Sequence, residues 1–206
     1  MILNSQFLLL EGISAGELIF VFLVVLLFFG SKSIPNMARS LGRGMRQLTK
    51  VNASWFGDFI RYNDHVHIGV AVAVDEGLLV PVVRFANEKP LTQIGEEVKT
   101  FAKKAKEKKL QPDEWEGNTF TISNLGMFGI DEFTAIVNPP DACILAVGGI
   151  QQVPVVKNGE IVPGNVMKVT LSCDHRVVDG AVGSAFLNSF KNYLENPVLL
   201  LGKDSI

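Results

Sequence analysis

The segment Ser172-Cys173-Asp174-His175-Arg176-Val177-Val178-Asp179-Gly180 holds the residues best placed to do chemistry. A strand-like apolar run leads into it, a helical pattern starts directly after it, and His175 sits in the polar turn between them. Such a junction exposes an imidazole at the end of a sheet, where it can take a proton from a substrate. The same position suits a histidine that only caps its own turn, and the residues of the segment leave both readings open. His65 and His67, two apart on a strand edge, have a spacing able to hold a metal, but no third ligand lies nearby and they read as an ordinary polar pair. Cys143 and Cys173 fall within strands and read as buried, inert thiols rather than nucleophiles. Lys99, Lys103, Lys104, Lys106, Lys108 and Lys109 share a helix with Glu96, Glu97 and Glu107, without aromatic residues interleaved beyond Phe101. That is the pattern of a solvated face rather than of a nucleic-acid surface.

The elements that must position these side chains are strands and helices in alternation. Val66, Ile68, Val70, Val72 and Val74 alternate along one strand, and Leu78–Val83 follows as a second after the turn at Glu76-Gly77. Leu91, Ile94, Val98, Phe101, Ala102 and Ala105 recur at helical spacing up to the polar stretch before Pro112. Residues 119–123, 142–147 and 166–173 read as further strands. Lys157-Asn158-Gly159-Glu160 is an Asn-Gly hairpin turn, and a closing helix over 181–194 stops at Asn196-Pro197. Interleaved strands and helices make this a mixed α/β layer structure.

Apolar residues form 48% of the 206-residue chain and charged residues 19%, so a packed core forms and global disorder is excluded. Two cysteines exclude a disulfide-built scaffold and a four-cysteine metal knuckle. The net charge of -2 gives no global reason to expect nucleic acid. Charge is unevenly spread. Lys32, Arg39, Arg43, Arg46 and Lys50 face only Glu11 and Glu17 in residues 1–50, whereas the rest of the chain is net acidic.

That first part also differs in hydropathy. Leu18 to Phe29 is an unbroken apolar run, short for a bilayer core, which reads as a membrane helix over about 15–29 that local thinning accommodates. Ile34, Met37, Ala38, Leu41, Met45 and Leu48 then recur at spacings of three and four, with the basic residues on another side. This predicts a basic amphipathic helix over about 34–50, suited to membrane lipid. Positive charge after the run alone predicts a single pass, with the N-terminus outside and the C-terminal domain cytoplasmic. Glu17 fits a capping box with Ser14, and a carboxyl at a membrane entrance can also be functional; the two are compatible. With Phe29-Gly30 as a hinge and Ile34-Pro35 and Leu41-Gly42 in the amphipathic stretch, residues 11–50 resemble the TatA/TatE family of the twin-arginine protein translocase. The resemblance implies translocase subunits as partners and an oligomer that thins the bilayer.

The remainder points elsewhere. H-x-x-x-D-G at His175–Gly180, preceded by L-S-x-D, resembles the signature of the 2-oxoacid dehydrogenase acyltransferases, which is shared with chloramphenicol acetyltransferases. GVAVAVDEGLLVPVVR, EGNTFTISNLGMFGI and NPPDACILAVGGI extend the resemblance over residues 51–202, to the dihydrolipoamide acetyltransferases of pyruvate dehydrogenase. It implies a chloramphenicol-acetyltransferase-like mixed α/β sheet and acetyl transfer between dihydrolipoamide and coenzyme A. Coenzyme A would be a substrate and lipoamide would arrive on a separate lipoyl domain, with no metal. His175 would be the general base, Ser123 the hydrogen-bond donor to the tetrahedral oxyanion, and Asp179 the residue that holds the histidine loop in shape. The resemblance further implies a trimer-based homo-oligomer within a dehydrogenase complex, with His and Ser supplied by neighbouring subunits. Against the family pattern, the sequence reads as lacking a lipoyl domain and linker, and the catalytic domain reads as N-terminally truncated at a 50/51 boundary. On that reading the family's arginine partner for the residue matching Asp179 would fall in the missing part. The competing expectation is a translocase component carrying an inactive C-terminal passenger.

Overall fold

The computed structural model describes residues 49–75 and 77–196. Among the described residues, nine strands follow in chain order: β1 (Ala53–Trp55), β2 (Ile60–Tyr62), β3 (Ile68–Val70), β4 (Val72–Val74), β5 (Gly77–Leu79), β6 (Val82–Val83), β7 (Phe120–Asn124), β8 (Cys143–Lys157) and β9 (Glu160–Cys173). Helix α1 (Leu91–Lys106) lies between β6 and β7, and α2 (Gly180–Glu195) follows β9. The central sheet runs β6-β3-β7-β8-β9; β3, β7 and β8 are parallel to one another, and β6 and β9 are antiparallel to their neighbours. The mixed α/β reading therefore holds. The membrane and amphipathic helices expected over 15–29 and 34–50 lie outside the described residues. Among the described residues no helix is long and apolar enough to cross a membrane.

Two expected strands are each split. Residues 66–74 form β3 in the central sheet and β4 in a separate two-stranded ribbon with β5. Ala71 still donates its N–H to Ile122 O (2.9 Å), and beyond it the chain leaves β7. Residues 78–83 divide in the same place on the partner side. Pro81 has no N–H to continue a ladder, although its carbonyl accepts from Val70 N (2.9 Å). The alternation of valines is the same in both ribbons, so periodicity alone could not reveal the break.

The β8–β9 ribbon is longer than expected, pairing from Cys143↔Cys173 to Lys157↔Glu160. Its turn carries Asn158 at φ 55 and Gly159 at φ 85, the two left-handed positions that a tight hairpin of this twist requires. Near its middle the register shifts between Val147 and Ile150. The loop after β7 seats there: Gly149 N donates to Ile130 O at 2.8 Å, and a Cβ on Gly148 would fall 1.9 Å from Asp131 O. Only glycine allows that approach.

The core lies between the sheet and α2. Val51, Ala53, Phe120, Ala142, Cys143, Leu145, Val177, Val178 and Phe186 are buried together. Phe186 of α2 meets Phe120 of β7 at a ring-centroid distance of 5.6 Å, and Phe190, one turn on, stacks at 6.3 Å from Phe186. This contact fixes α2, and with it the turn that precedes α2, against the middle of the sheet.

Candidate active site

Residues 174–179 connect β9 to α2, and both ends of the connection are fixed. At the first end Asp174 N donates to Ala142 O (2.8 Å), continuing the β8–β9 ladder by one bond. Asp174 O then accepts from Val177 N and Val178 N (2.9 Å each), which closes the turn. At the second end Asp179 is the N-cap of α2; its Oδ1 accepts from Val182 N at 2.8 Å. That bond satisfies an N–H with no partner inside the helix. Val177 and Val178 point into the core. The imidazole of His175 stays exposed and makes no hydrogen bond among the described residues.

The neighbours of His175 are held more tightly. Arg176 clamps Asp174 through Nε to Oδ1 (2.9 Å) and Nη2 to Oδ2 (2.6 Å), and its guanidinium lies 4.7 Å over the Trp55 ring. The Arg176 guanidinium keeps the Asp174 carboxyl below the ordinary carboxylate range. Beside this clamp an open cavity of about 270 Å³ is lined by Trp55, Val137, Pro139, Pro140, Asp141, Asp174 and Arg176. Sequence reasoning did not single out Arg176 or Trp55. The D-x-R spacing within the turn was the signal for the clamp, whereas Trp55 comes from a distant strand and carried none.

Ser123 is on β7, half-buried, and its hydroxyl makes no hydrogen bond among the described residues, so it is free to donate. The sheet does not bring it to His175. Ser123 is level with Ala146 of β8 and, through it, with Thr170 of β9. β9 then runs back towards the start of β7, and His175 lies five residues beyond Thr170. At the rise of a strand that is roughly 16 Å along the sheet, with two inter-strand spacings across it. Within one chain, His175 and Asp179 share a turn and Ser123 stands several residues away along the sheet, near the far end of β7.

The remaining candidates have structural partners. His65 Nδ1 lies 3.1 Å from Glu88 Oε1, and His67 Nδ1 accepts from Phe85 N at 2.9 Å. Burial, then Arg84 and His65, lower the pKa of His67. Among the described residues no three His, Cys, Asp or Glu side chains gather as a metal site. On the lysine-rich helix, Lys104 pairs with Glu114 (2.5 Å) and Lys103 with Glu107 (3.9 Å), as a solvated face does.

One buried group was not foreseen. Asp141, just before β8, is 2% exposed; its Oδ2 accepts from Thr121 Oγ1 (2.7 Å) and from Asn118 Nδ2, while Oδ1 is buried without a partner. Burial pushes its pKa from the usual 3.8 up to about 6, against the pull of those two donors. A carboxyl with a raised folded-state pKa favours folding when protonated. That stability is fully present below about pH 4 and is lost as pH rises through about 6, a change of about 3 kcal/mol. Asp141→Asn stays neutral throughout. Its stability relative to the parent, from urea titrations, is expected to improve by roughly 2–2.5 kcal/mol between pH 4 and pH 7.5. A difference that does not move with pH contradicts the assignment.

The chain has relatives among known proteins. The profile described as 2-oxoacid dehydrogenases acyltransferase (catalytic domain) matches residues 32–202, so the match begins upstream of the 50/51 boundary and takes in the basic segment. The dihydrolipoyllysine-residue acetyltransferase component of the pyruvate dehydrogenase complex from Rickettsia felis is 49% identical over 162 residues, covering 79% of this chain and 39% of that protein. The chain thus spans about two fifths of the length of that relative. Among solved structures, the Azotobacter vinelandii dihydrolipoamide acetyltransferase (33% identity, TM-score 0.78) covers 90% of this chain and 79% of its own. That work concerns the role of a serine, a histidine and an asparagine in the catalytic mechanism. The cubic core of the pyruvate dehydrogenase multienzyme complex matches equally, at 33% identity and a TM-score of 0.78 over the same shares. This chain is a member of the 2-oxoacid dehydrogenase acyltransferase family and has its catalytic-domain fold.

Proposed function

We propose that this chain moves an acetyl group between dihydrolipoamide, presented on a lipoyl domain, and coenzyme A, as part of a pyruvate dehydrogenase complex. The observation that carries the reading is a spacing. In the Azotobacter enzyme the named serine and histidine are 52 positions apart and the asparagine stands four further on. Ser123 and His175 are also 52 apart, and Asp179 lies four beyond His175. His175 removes the thiol proton of coenzyme A, and the thiolate attacks the thioester carbon of acetyl-dihydrolipoamide. Ser123 Oγ–H donates to the oxygen that becomes negative in the tetrahedral intermediate. As the intermediate collapses, the dihydrolipoamide sulfur leaves and takes the proton back from His175. Asp179 acts through the turn, as the cap that holds His175 at the start of α2.

The distance between Ser123 and His175 supports a site completed by a second copy, in a trimer-based core. Exposed apolar side chains support this: Met127, four residues after Ser123, is 79% exposed, and Ile136 91%, in the single chain. His175→Ala is expected to abolish acetyl transfer, and Ser123→Ala to lower kcat by about 10²–10³-fold. Aspartate and asparagine cap helices about equally, so Asp179→Asn is expected to keep activity within a few-fold while Asp179→Ala loses about 1 kcal/mol of stability and more of the activity. Undiminished transfer by His175→Ala contradicts the mechanism.

The run Leu18–Phe29 precedes the family match and supports a second element of the proposal, a membrane anchor with the acyltransferase domain on the cytoplasmic side. The full chain should then stay in the membrane pellet at alkaline pH and leave it only in detergent. Release by alkali alone contradicts an anchor.

A further inference from the structure

Cys143 and Cys173 face each other as direct cross-strand partners in β8 and β9, with Sγ atoms 3.4 Å apart and both thiols free. The kind of pair follows from its neighbour. Asp174 N donates to Ala142 O, so the 142/174 position is a hydrogen-bonded one, and Cys143/Cys173, the next rung, is of the non-hydrogen-bonded kind. At such rungs the Cα atoms lie about 4.5 Å apart and the side chains are at their closest, within the range a disulfide bridges. The two sulfurs are not equivalent. Cys143 is fully buried, whereas Cys173, the last residue of β9, is partly exposed two residues before His175. The contact also polarises the pair: the Cys143 thiol is pushed up by its bond to Cys173 and by burial, and that bond pulls Cys173 down.

We propose that Cys143 and Cys173 are an oxidation site, forming an intramolecular disulfide at the root of the His175 turn when a peroxide reaches Cys173. The Cys173 thiolate attacks the peroxide O–O bond, giving a sulfenic acid and releasing hydroxide, which is protonated to water. The Cys143 sulfur then attacks the Cys173 sulfur; the S–S bond forms, the S–O bond breaks, and hydroxide leaves as a second water with the Cys143 proton. Two thiols and one peroxide yield one disulfide and two waters. Cys173 is the sulfur oxidised first because it is the accessible one, and Cys143 resolves it because its sulfur stands 3.4 Å away.

The test treats the full-length protein with hydrogen peroxide and reads it by intact mass and peptide mapping, so its outcome is independent of acetyl transfer. The expected result is a loss of about two mass units, a linked peptide pair containing Cys143 and Cys173, and full reversal by dithiothreitol. Cys143→Ser should instead leave Cys173 trapped as a sulfenic acid that dimedone captures. Stepwise oxidation of Cys173 to sulfinic acid in the parent protein, with Cys143 still open to alkylation after denaturation, overturns the proposal. So does a disulfide that links separate chains on a non-reducing gel.

Discussion

The backbone of Ala142 is the joint on which the site depends. Its N–H donates to Ala53 O and its carbonyl accepts from Asp174 N, each at 2.8 Å, and the residue is wholly buried. β1 and the histidine turn are therefore fastened to one peptide-wide position at the head of β8. The preceding side chain, Asp141, fastens β7 to the same place through Thr121. Buried polar groups must find partners, and at residues 141–142 the partners belong to three segments far apart in sequence. A change at this joint would reach the turn of His175 and the strand of Ser123 together.

The sheet also explains why a single chain is an incomplete catalyst under the proposed reading. β7 and β8 run in one direction and β9 returns, so a residue late in β7 and a residue after β9 are carried apart, beyond opposite ends of β7. A general base and an oxyanion donor must both reach one reacting carbon within hydrogen-bonding range. Rotamer changes cannot close a gap of several residues along a sheet. Under that reading a homo-oligomer would remove the difficulty by setting one copy's base beside another's donor, and would cover apolar side chains such as Met127.

Much of this was legible in the sequence because the signals were local. The Asn158-Gly159 turn, the helix after Asp179 and the strand–turn–helix frame of His175 each rest on residues next to one another. The division of residues 66–74 between two ribbons was not legible, because every residue in it suits a strand and the break is decided by what β7 and Pro81 offer alongside. The Arg176–Trp55 contact and the Asp141 network were hidden for the same reason: their partners come from other strands. The resemblance to a family supplied the role of Ser123, whose type and spacing alone say little. The helices expected in the N-terminal part rest on the sequence alone.

The central claim, that His175 and Ser123 act on one substrate from different copies, is tested most directly by mixing inactive variants. His175→Ala and Ser123→Ala chains would be co-refolded in equal amounts and assayed for acetyl transfer to coenzyme A, beside each variant alone. In mixed oligomers some sites pair the intact histidine of one variant with the intact serine of the other. Activity should then recover to about a quarter of the unmodified protein, the random-mixing share. Activity no greater than the sum of the separate variants, from oligomers shown to be mixed, would contradict a site shared between copies.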